Sequence, residues 1–261
     1  MKIIKFAALC LFVCFAASCL GSLTPVQDAL KQPDYPFADV PKNIGHAKPD
    51  PHAFEEKAIV VSVRYPDETY VGSEQYPLEI LGEAVEKRLR ENPSERQLIY
   101  LNADANAEFG SIVKTLDIIR RQNIENVGLF VEPPTGADKK LQVLKIKIPA
   151  EPKETDSLDL LDRRLVVSLQ KDGKIKPGRF DKYAFKPAAP EISEEEISGK
   201  LTQMLKENEE KKITLKGTGE IDRAVFIKAP RANRYREVAR LINAATAAGA
   251  TEVYLMLDDL E

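Results

Sequence analysis

The spacing of apolar residues along this chain predicts strands and helices in a fixed order. From residue 58 on, two β-rich runs flank Pro66 and Asp67, which predicts a hairpin. Apolar residues at four-residue spacing then predict a helix over about 77–90, and the run "RQLIYLNA" predicts a strand. A second amphipathic helix, a closing strand and an alternating run complete the series, at about residues 107–122, 126–132 and 144–148. The predicted order is strand, strand, helix, strand, helix, strand.

The same order of elements returns in the second half of the chain. Val60 and Val61 correspond to Val166 and Val167 at an offset of 106 positions. Further along, the stretch that ends at Glu132 can be laid without gaps on the stretch that ends at Asp258, at an offset of 126 positions. The paired residues include Ala103 with Ala229, Phe109 with Tyr235, Ile112 with Val238, and Leu129 with Leu255. We therefore predict an internal repeat.

The fold class that follows is α+β. It consists of two tandem two-layer domains, each with helices on one face of a small mixed sheet. Along the chain we expect an amino-terminal signal or anchor, a Pro-rich tether, a first domain, a linker and a diverged second domain, at residues 1–21, 22–57, 58–149, 150–160 and 161–261. One copy alone buries a limited core, so the two are expected to pack as an intramolecular pair, with a homo-oligomer as a further option.

The amino terminus has the layout of a secretory signal peptide. Two Lys precede position 6, and the stretch from Phe6 to Leu20 carries no charge. A helix of that length covers roughly 22 Å, short of the roughly 30 Å core of a bilayer. The length therefore favours export, and an uncleaved single-pass anchor in the inner membrane is the alternative.

All three cysteines of the chain lie in this segment, namely Cys10, Cys14 and Cys19. The predicted folded part therefore contains no disulfide. The residues before Cys19 are small and resemble the bacterial lipobox, with Ala16 at the position where Leu is usual. We predict that Cys19 is lipidated and holds a lipoprotein on the periplasmic side of the cell envelope, where acyl chains supply the membrane affinity. The alternative is that Cys19 is only one more small apolar residue.

Composition excludes several classes of protein. Charged residues make up 30% of the chain and hydrophobic residues 43%, which is too polar for a multi-span membrane protein and too apolar for a disordered one. The formal net charge is −3, so a nucleic-acid partner is not predicted. The only two histidines, His46 and His52, lie in the predicted tether without further ligands at suitable spacing. We predict no metal, no cofactor and no catalytic site, and an enzyme only if the fold creates a pocket that the sequence does not reveal.

A specific pattern of residues marks the first repeat. A strand ends in Ala103 and Asp104, an aromatic residue follows, and the next helix and strand carry the remaining signature positions, namely Phe109, Leu116, Asp117, Ile124, Val127 and Leu129. With this pattern, the stretch from Ile59 to Glu132 resembles the periplasmic domain of the ExbD/TolR family of bacterial biopolymer-transport proteins. The second repeat keeps an aromatic at Tyr235 and a turn glycine at Gly249, but it has Pro230 and Asn243 at the positions of Asp104 and Asp117.

The resemblance implies a membrane-tethered, non-enzymatic accessory of a biopolymer-transport or envelope-energising complex. Its implied partners are ExbB/TolQ-like or TonB/TolA-like proteins. Members of the family carry an Asp in the membrane helix that takes up a proton, whereas the stretch from Phe6 to Leu20 contains no acid. The chain is therefore expected to lack its own proton carrier. The alternative function is a lipoprotein that binds or scaffolds peptidoglycan.

Four residues are candidates for contact with a partner. Asp104 stands at the strand-end position of the family, where it could contact a partner or cap the helix that follows. Arg231, Arg234 and Arg236 lie on and before the corresponding helix of the second repeat, where they could bind an anionic polymer or face solvent. Sheet edges and the interface of the paired domains are the other expected contact surfaces.

Overall fold

The structure is a computed structural model of the chain. It describes residues 38–92, 98–134, 141–148, 164–181, 184–188, 190–214 and 219–258. The predicted signal or anchor with Cys19, and the predicted linker at 150–160, lie outside the described residues.

The first repeat forms a six-stranded mixed sheet and two helices. Its elements are β1 (Val60–Arg64), β2 (Glu68–Val71), β3 (Glu74–Tyr76), α1 (Leu81–Glu91), β4 (Leu98–Ala103), α2 (Phe109–Arg121), β5 (Asn126–Val131) and β6 (Gln142–Lys147). The strand order is β3-β2-β1-β4-β5-β6. β1, β4 and β5 run parallel, because a helix lies in each crossover between them, and the remaining pairs are antiparallel.

The second repeat has the same arrangement in a five-stranded sheet. Its elements are β7 (Leu165–Leu169), β8 (Ile175–Asp181), β9 (Ala184–Pro187), α3 (Glu194–Glu210), β10 (Ala224–Ala229), α4 (Tyr235–Ala247) and β11 (Glu252–Leu257). The order β9-β8-β7-β10-β11 corresponds strand by strand to that of the first sheet, and only β6 has no counterpart in the described part of the second repeat. The predicted α+β class with tandem units is confirmed.

Each sheet contains one short strand that the sequence pattern did not predict. β3 is three residues long and β9 is four, and each pairs with its neighbour at the edge of its sheet. Strands this short carry too few apolar residues to show an alternation. The predicted two-stranded hairpin is therefore a three-stranded meander in both repeats.

The two repeats bury their apolar residues in one continuous core. It includes residues of the helices, such as Leu81, Ile112, Leu201 and Ile242, together with the helix-facing side chains of both sheets. The described residues accordingly belong to one compact unit. Within them, no helix is both long and apolar enough to cross a bilayer.

Residues 38–57, which we call the strap, lie against the first repeat. They are the described part of the predicted tether. Val40 and Ala53 are buried with Tyr100 and Phe130 on the outer face of the first sheet, opposite the helices. The strap has no sustained apolar period, because its backbone is irregular and its buried side chains are isolated in sequence. Ile44 is fully buried in the main core.

Candidate functional site at the junction of the two repeats

Two turns face each other where the repeats meet. They are residues 104–108, before α2, and residues 230–234, before α4, and we call them the junction turns. Four backbone hydrogen bonds join them to the opposite helix ends: Phe109 N to Asn233 O (2.8 Å), Tyr235 N to Ala107 O (2.9 Å), Gly110 N to Arg231 O (3.0 Å) and Arg236 N to Ala105 O (3.0 Å). Each bond has a counterpart in which donor and acceptor are exchanged at an offset of 126 positions. The junction is therefore a pseudo-two-fold contact.

These bonds explain how α2 and α4 begin. The first N–H groups of a helix have no partner within the helix and are usually capped by a side chain. Neither helix has such a side-chain cap. Instead, the first two N–H groups of each helix donate to carbonyl oxygens of the other repeat's junction turn. Each repeat thus completes the helix of its neighbour.

The residues at the two helix starts, Phe109 and Tyr235, are fully buried and correspond to each other in the repeat. The Tyr235 hydroxyl has no hydrogen-bond partner among the described residues. Burial raises the pKa of Tyr235 far above its usual value, so the hydroxyl stays neutral. A buried hydroxyl without a hydrogen-bond partner lowers the stability of the fold, so the Tyr235 hydroxyl does not stabilise the junction.

The structure brings the three predicted arginines together at the junction. Arg234 Nη1 donates to Asn106 O at 2.8 Å, and Arg236 Nη1 donates to Asn106 Oδ1 at 2.7 Å. The Arg234 guanidinium also lies 5.4 Å from the ring centroid of Tyr65, in cation–π geometry. The Arg231 side chain crosses the start of α2, where a Cβ on Gly110 would lie 2.3 Å from Arg231 Cγ.

Asp104 lies at the same junction but has a different partner from the predicted helix cap. Its Oδ1 accepts a hydrogen bond from Asn106 N at 2.8 Å, which closes a turn of the Asx type. α2 begins only at Phe109, and its first N–H groups bond to the second repeat. The capping interpretation of Asp104 was therefore wrong, because a tertiary contact replaces the local one.

A cleft between α2 and β11 is the second feature at the boundary of the repeats. Its volume is about 230 Å³, and we call it the α2–β11 cleft. It is lined by Val113, Leu116, Asp117 and Arg120 of α2, by Tyr254, Leu255 and Met256 of β11, and by Phe226 and Ile148. Asp117 forms ion pairs with Arg120 and with Arg121, the latter at 2.8 Å. No described strand pairs with the outer edge of β11.

Sequence reasoning missed the strap and the cleft. Isolated residues such as Ile44 carry no periodic signal at all. In chemical terms, the junction turns offer arginine donors and carbonyl acceptors and contain no His or Cys, so their chemistry is hydrogen bonding and ion pairing.

Comparison with protein-family models matches residues 29–134 to the family described as biopolymer transport protein ExbD/TolR. Residues 29–134 are therefore similar to an ExbD/TolR domain. The match confirms the resemblance predicted from Ile59 to Glu132, and it extends the domain at its amino-terminal side to include the strap. The search of curated proteins gave no significant match.

The ExbD/TolR domain relates the chain to membrane-associated accessory proteins of transport and envelope complexes, which work with envelope partners. The second repeat lies outside the matched residues, yet its strand order corresponds to that of the ExbD/TolR domain. The part of the chain that the structure describes contains no cluster of three or more metal-binding side chains.

Proposed function

We propose that the protein is a membrane-tethered, non-enzymatic accessory of a biopolymer-transport or envelope-energising complex, on the periplasmic side of the bacterial envelope. The observation that carries this proposal is the match of residues 29–134 to the ExbD/TolR family. The stretch from Phe6 to Leu20 contains no acid, so the proton carrier of such a complex would belong to an ExbB/TolQ-like partner or to another subunit.

The paired repeats support a role as a rigid contact module. The junction bonds and the common core hold the ExbD/TolR domain and the second repeat in one arrangement within a single chain. A TonB/TolA-like partner at the junction would therefore meet both repeats at once. Arg231 and Arg236 are exposed there and remain the proposed contact residues, together with Arg234 and Asp104.

The strap supports a mechanical link between the proposed membrane tether and the junction. Ala105 N, in the first junction turn, donates to Asp39 O at 2.7 Å, and Asp39 lies one residue after the start of the described part of the chain. A tether attached at Cys19 would therefore enter the folded unit beside the proposed contact surface.

Site-specific photo-crosslinking in the native envelope tests the function. A crosslinking residue placed at Arg236 is expected to capture proteins of the ExbB/TolQ or TonB/TolA type. The same residue placed at Lys211, an exposed position just after α3, serves as the control and is expected to capture none of them. Equal recovery at both positions, or recovery of no envelope protein, would contradict the proposal.

Lipidation is tested separately. Wild-type protein is expected to incorporate labelled palmitate and to fractionate with membranes, because acyl chains supply the binding energy. Cys19→Ala is expected to lose the label, while Cys14→Ala keeps it. Retention of palmitate by Cys19→Ala would overturn the predicted site.

One observation favours peptidoglycan binding as a second candidate. Tyr65 is 53% exposed beside Arg234, and an exposed aromatic ring next to arginines can contact sugars and carboxylates. Purified peptidoglycan is expected to retain the protein at low salt, and Tyr65→Ala is expected to reduce that retention. Retention that does not change on substitution, or no retention, would remove this candidate.

A further inference from the structure

The strap covers the outer face of the first sheet. At the centre of that face, Val60 and Tyr100 are only 2% and 3% exposed. Phe54 of the strap lies against Phe130, with the ring centroids 5.7 Å apart. The chain then enters β1, which begins six positions after Phe54. The segment that precedes the first strand thus shields the sheet to which this strand belongs.

The outer face of the second sheet is buried to a similar degree. The offset of 106 positions relates Val60 to Val166, and the offset of 126 relates Tyr100 to Phe226. Val166 is fully buried and Phe226 is 6% exposed, although the helices of this repeat pack on the opposite face. Among the described residues, their apolar cluster contains only side chains of the sheet itself, such as Met256. The described residues thus include no apolar cover for this face.

The segment 149–163, which lies outside the described residues, is attached to this face at both ends. Ile148, directly before it, lines the α2–β11 cleft beside Phe226. The described chain resumes at Arg164, two positions before Val166, and Val166 pairs with Phe226 on the neighbouring strand. The 15 residues between these ends can span about 50 Å when extended. The segment is therefore long enough to cross the face and return.

The sequence of this segment supplies apolar side chains for the face. Its large apolar residues are Leu158, Leu160 and Leu161. Leu160 precedes Val166 by six positions, as Phe54 precedes Val60. The position that packs on the outer face of the first sheet is therefore apolar in both repeats. The hydrophobic effect favours burial of such a side chain against the aromatic cluster of the second sheet.

We propose that residues 149–163 form a second strap, which covers the outer face of the second sheet and places Leu160 where the first repeat has Phe54. The predicted linker is then an integral part of the second repeat, and it closes this face to partners. The proposal does not depend on the proposed function, because it concerns contacts within one chain.

Thiol labelling measures the cover on the second sheet. The full chain with Ala in place of its three cysteines contains no other thiol, so Val166→Cys introduces a single one at the centre of the face. This thiol is expected to react slowly with a maleimide. Adding Leu160→Asp should accelerate labelling about tenfold, because a carboxylate opposes docking of the segment on an apolar surface. Ser157→Asp adds the same charge to the segment and should leave the rate unchanged.

The first repeat provides the matched reference. Val60→Cys lies under the described strap, and Phe54→Asp should accelerate its labelling as Leu160→Asp does for Val166→Cys. In the crossed combinations, Phe54→Asp with Val166→Cys and Leu160→Asp with Val60→Cys, the rates should not change, because each strap covers its own sheet. Rapid labelling of Val166→Cys without a second substitution would overturn the proposal. A rate that Leu160→Asp leaves unaltered would do the same.

Crosslinking provides a measurement that adds no charge and so does not depend on whether Leu160→Asp folds. In the same background, Leu160→Cys and Met256→Cys are treated with a short bismaleimide, since their counterparts Phe54 and Phe130 are in contact. Mass spectrometry of tryptic peptides is expected to find an intramolecular crosslink. Ile80→Cys, at an exposed position of the first repeat, replaces Met256→Cys as the control and should give none.

Three results of the crosslinking experiment would contradict the second strap. The first is no crosslink to Met256→Cys, and the second is equal crosslinking to Ile80→Cys. The third is a product with the mass of a dimer, which would show that a second copy of the chain covers the face.

Discussion

The two repeats share their topology and differ in what covers them. In the first, the strap fills the groove at the end of β5, and β6 pairs with the edge of that strand. In the second, β11 stands at a sheet edge, and Tyr254, Leu255 and Met256 stay partly exposed. The order of strands and helices thus determines the core, whereas the added segments determine which surfaces stay exposed.

The outer faces of the two sheets show the same principle. In the first repeat, Phe130 packs between Tyr100 and Phe54 of the strap, with both ring centroids at 5.7 Å. In the second, Phe226 packs between Tyr254 at 4.3 Å and Phe180 of β8 at 5.8 Å. Each face thus gains an aromatic cluster, but the third ring comes from the strap in one repeat and from a strand in the other.

Removal of the strap's anchor should have the largest effect on stability. Ile44→Ala is expected to lower the free energy of unfolding by about 3 kcal/mol, because it leaves a cavity in the main core. Ile80→Ala, at a position that is 43% exposed, is the matched control and should change it by less than about 1 kcal/mol. Urea unfolding measures both. Equal effects would show that the strap is not part of the folded core.

Exchanging the aromatic residue types at Phe109 and Tyr235 should change the free energy of unfolding in opposite directions. Phe109→Tyr places a hydroxyl in a fully buried site and is expected to cost about 2 kcal/mol. Tyr235→Phe removes a hydroxyl that has no partner in the described structure and is expected to add about 1 kcal/mol. Thermal unfolding tests both variants. A loss of stability in Tyr235→Phe would show that the hydroxyl is hydrogen-bonded after all.

Asp50 of the strap should make the attachment of the strap depend on pH. Burial raises the pKa of Asp50, but hydrogen bonds from Lys145 Nζ at 2.8 Å, from His52 N and from Tyr100 outweigh it and hold the pKa below the ordinary 3.8. A carboxylate with a depressed pKa stabilises the folded state above its ordinary pKa, and this stabilisation is lost as the pH falls through the folded-state pKa.

Asp50→Asn is accordingly expected to cost about 1.5 kcal/mol at pH 7, and the difference from wild type should shrink as the pH falls below the ordinary value of 3.8. Unfolding experiments at several pH values measure this difference in stability. Lys42→Gln, which breaks an exposed pair with Asp39, is the control and should produce no measurable change. A difference that persists unchanged at low pH would exclude the charge of Asp50 as the cause.

Loss of the strap's contact with α4 should have the smallest effect. Asn243→Ala removes the acceptor for His46 N and is expected to cost about 0.5 kcal/mol. Hydrogen exchange resolves this better than unfolding does, since the His46 amide should exchange faster while the Ile44 amide, bonded to Glu132 O, stays protected. Unchanged exchange at His46 would show that the amide does not depend on Asn243.

Much of the fold followed from periodicity, because strands and helices of both repeats bury one face. The helices α1 and α2 lie within a few residues of their predicted ranges, and β6 occupies the alternating run near Ile146. The same reasoning missed β3 and β9, which are too short for an alternation, and it assigned residues 38–57 to a tether. The prediction for Asp104 as a cap failed because the start of α2 is completed by residues far away in sequence.

The sequence predicted which residues belong to the candidate site, but it did not predict which residues they contact. Asp104, Arg231, Arg234 and Arg236 were identified as candidates. The structure places the first three in the junction turns and Arg236 in the first turn of α4. Their partner Asn106, and Tyr65 under Arg234, were not identified, since single polar or aromatic residues in turns have no pattern of their own.

The amino-acid sequence by itself determined the order of elements, the correspondence of the repeats at an offset of 126 positions, and the resemblance of the first repeat to ExbD/TolR domains. These features depend on the spacing of residues that are close in sequence, because side chains repeat with a fixed period in helices and in strands. Only the tertiary structure decided that the repeats complete each other's helices, that the strap fills one groove, and that a cleft lies between α2 and β11. Those outcomes depend on hydrogen bonds and burial between residues that are far apart in sequence, where no local period exists.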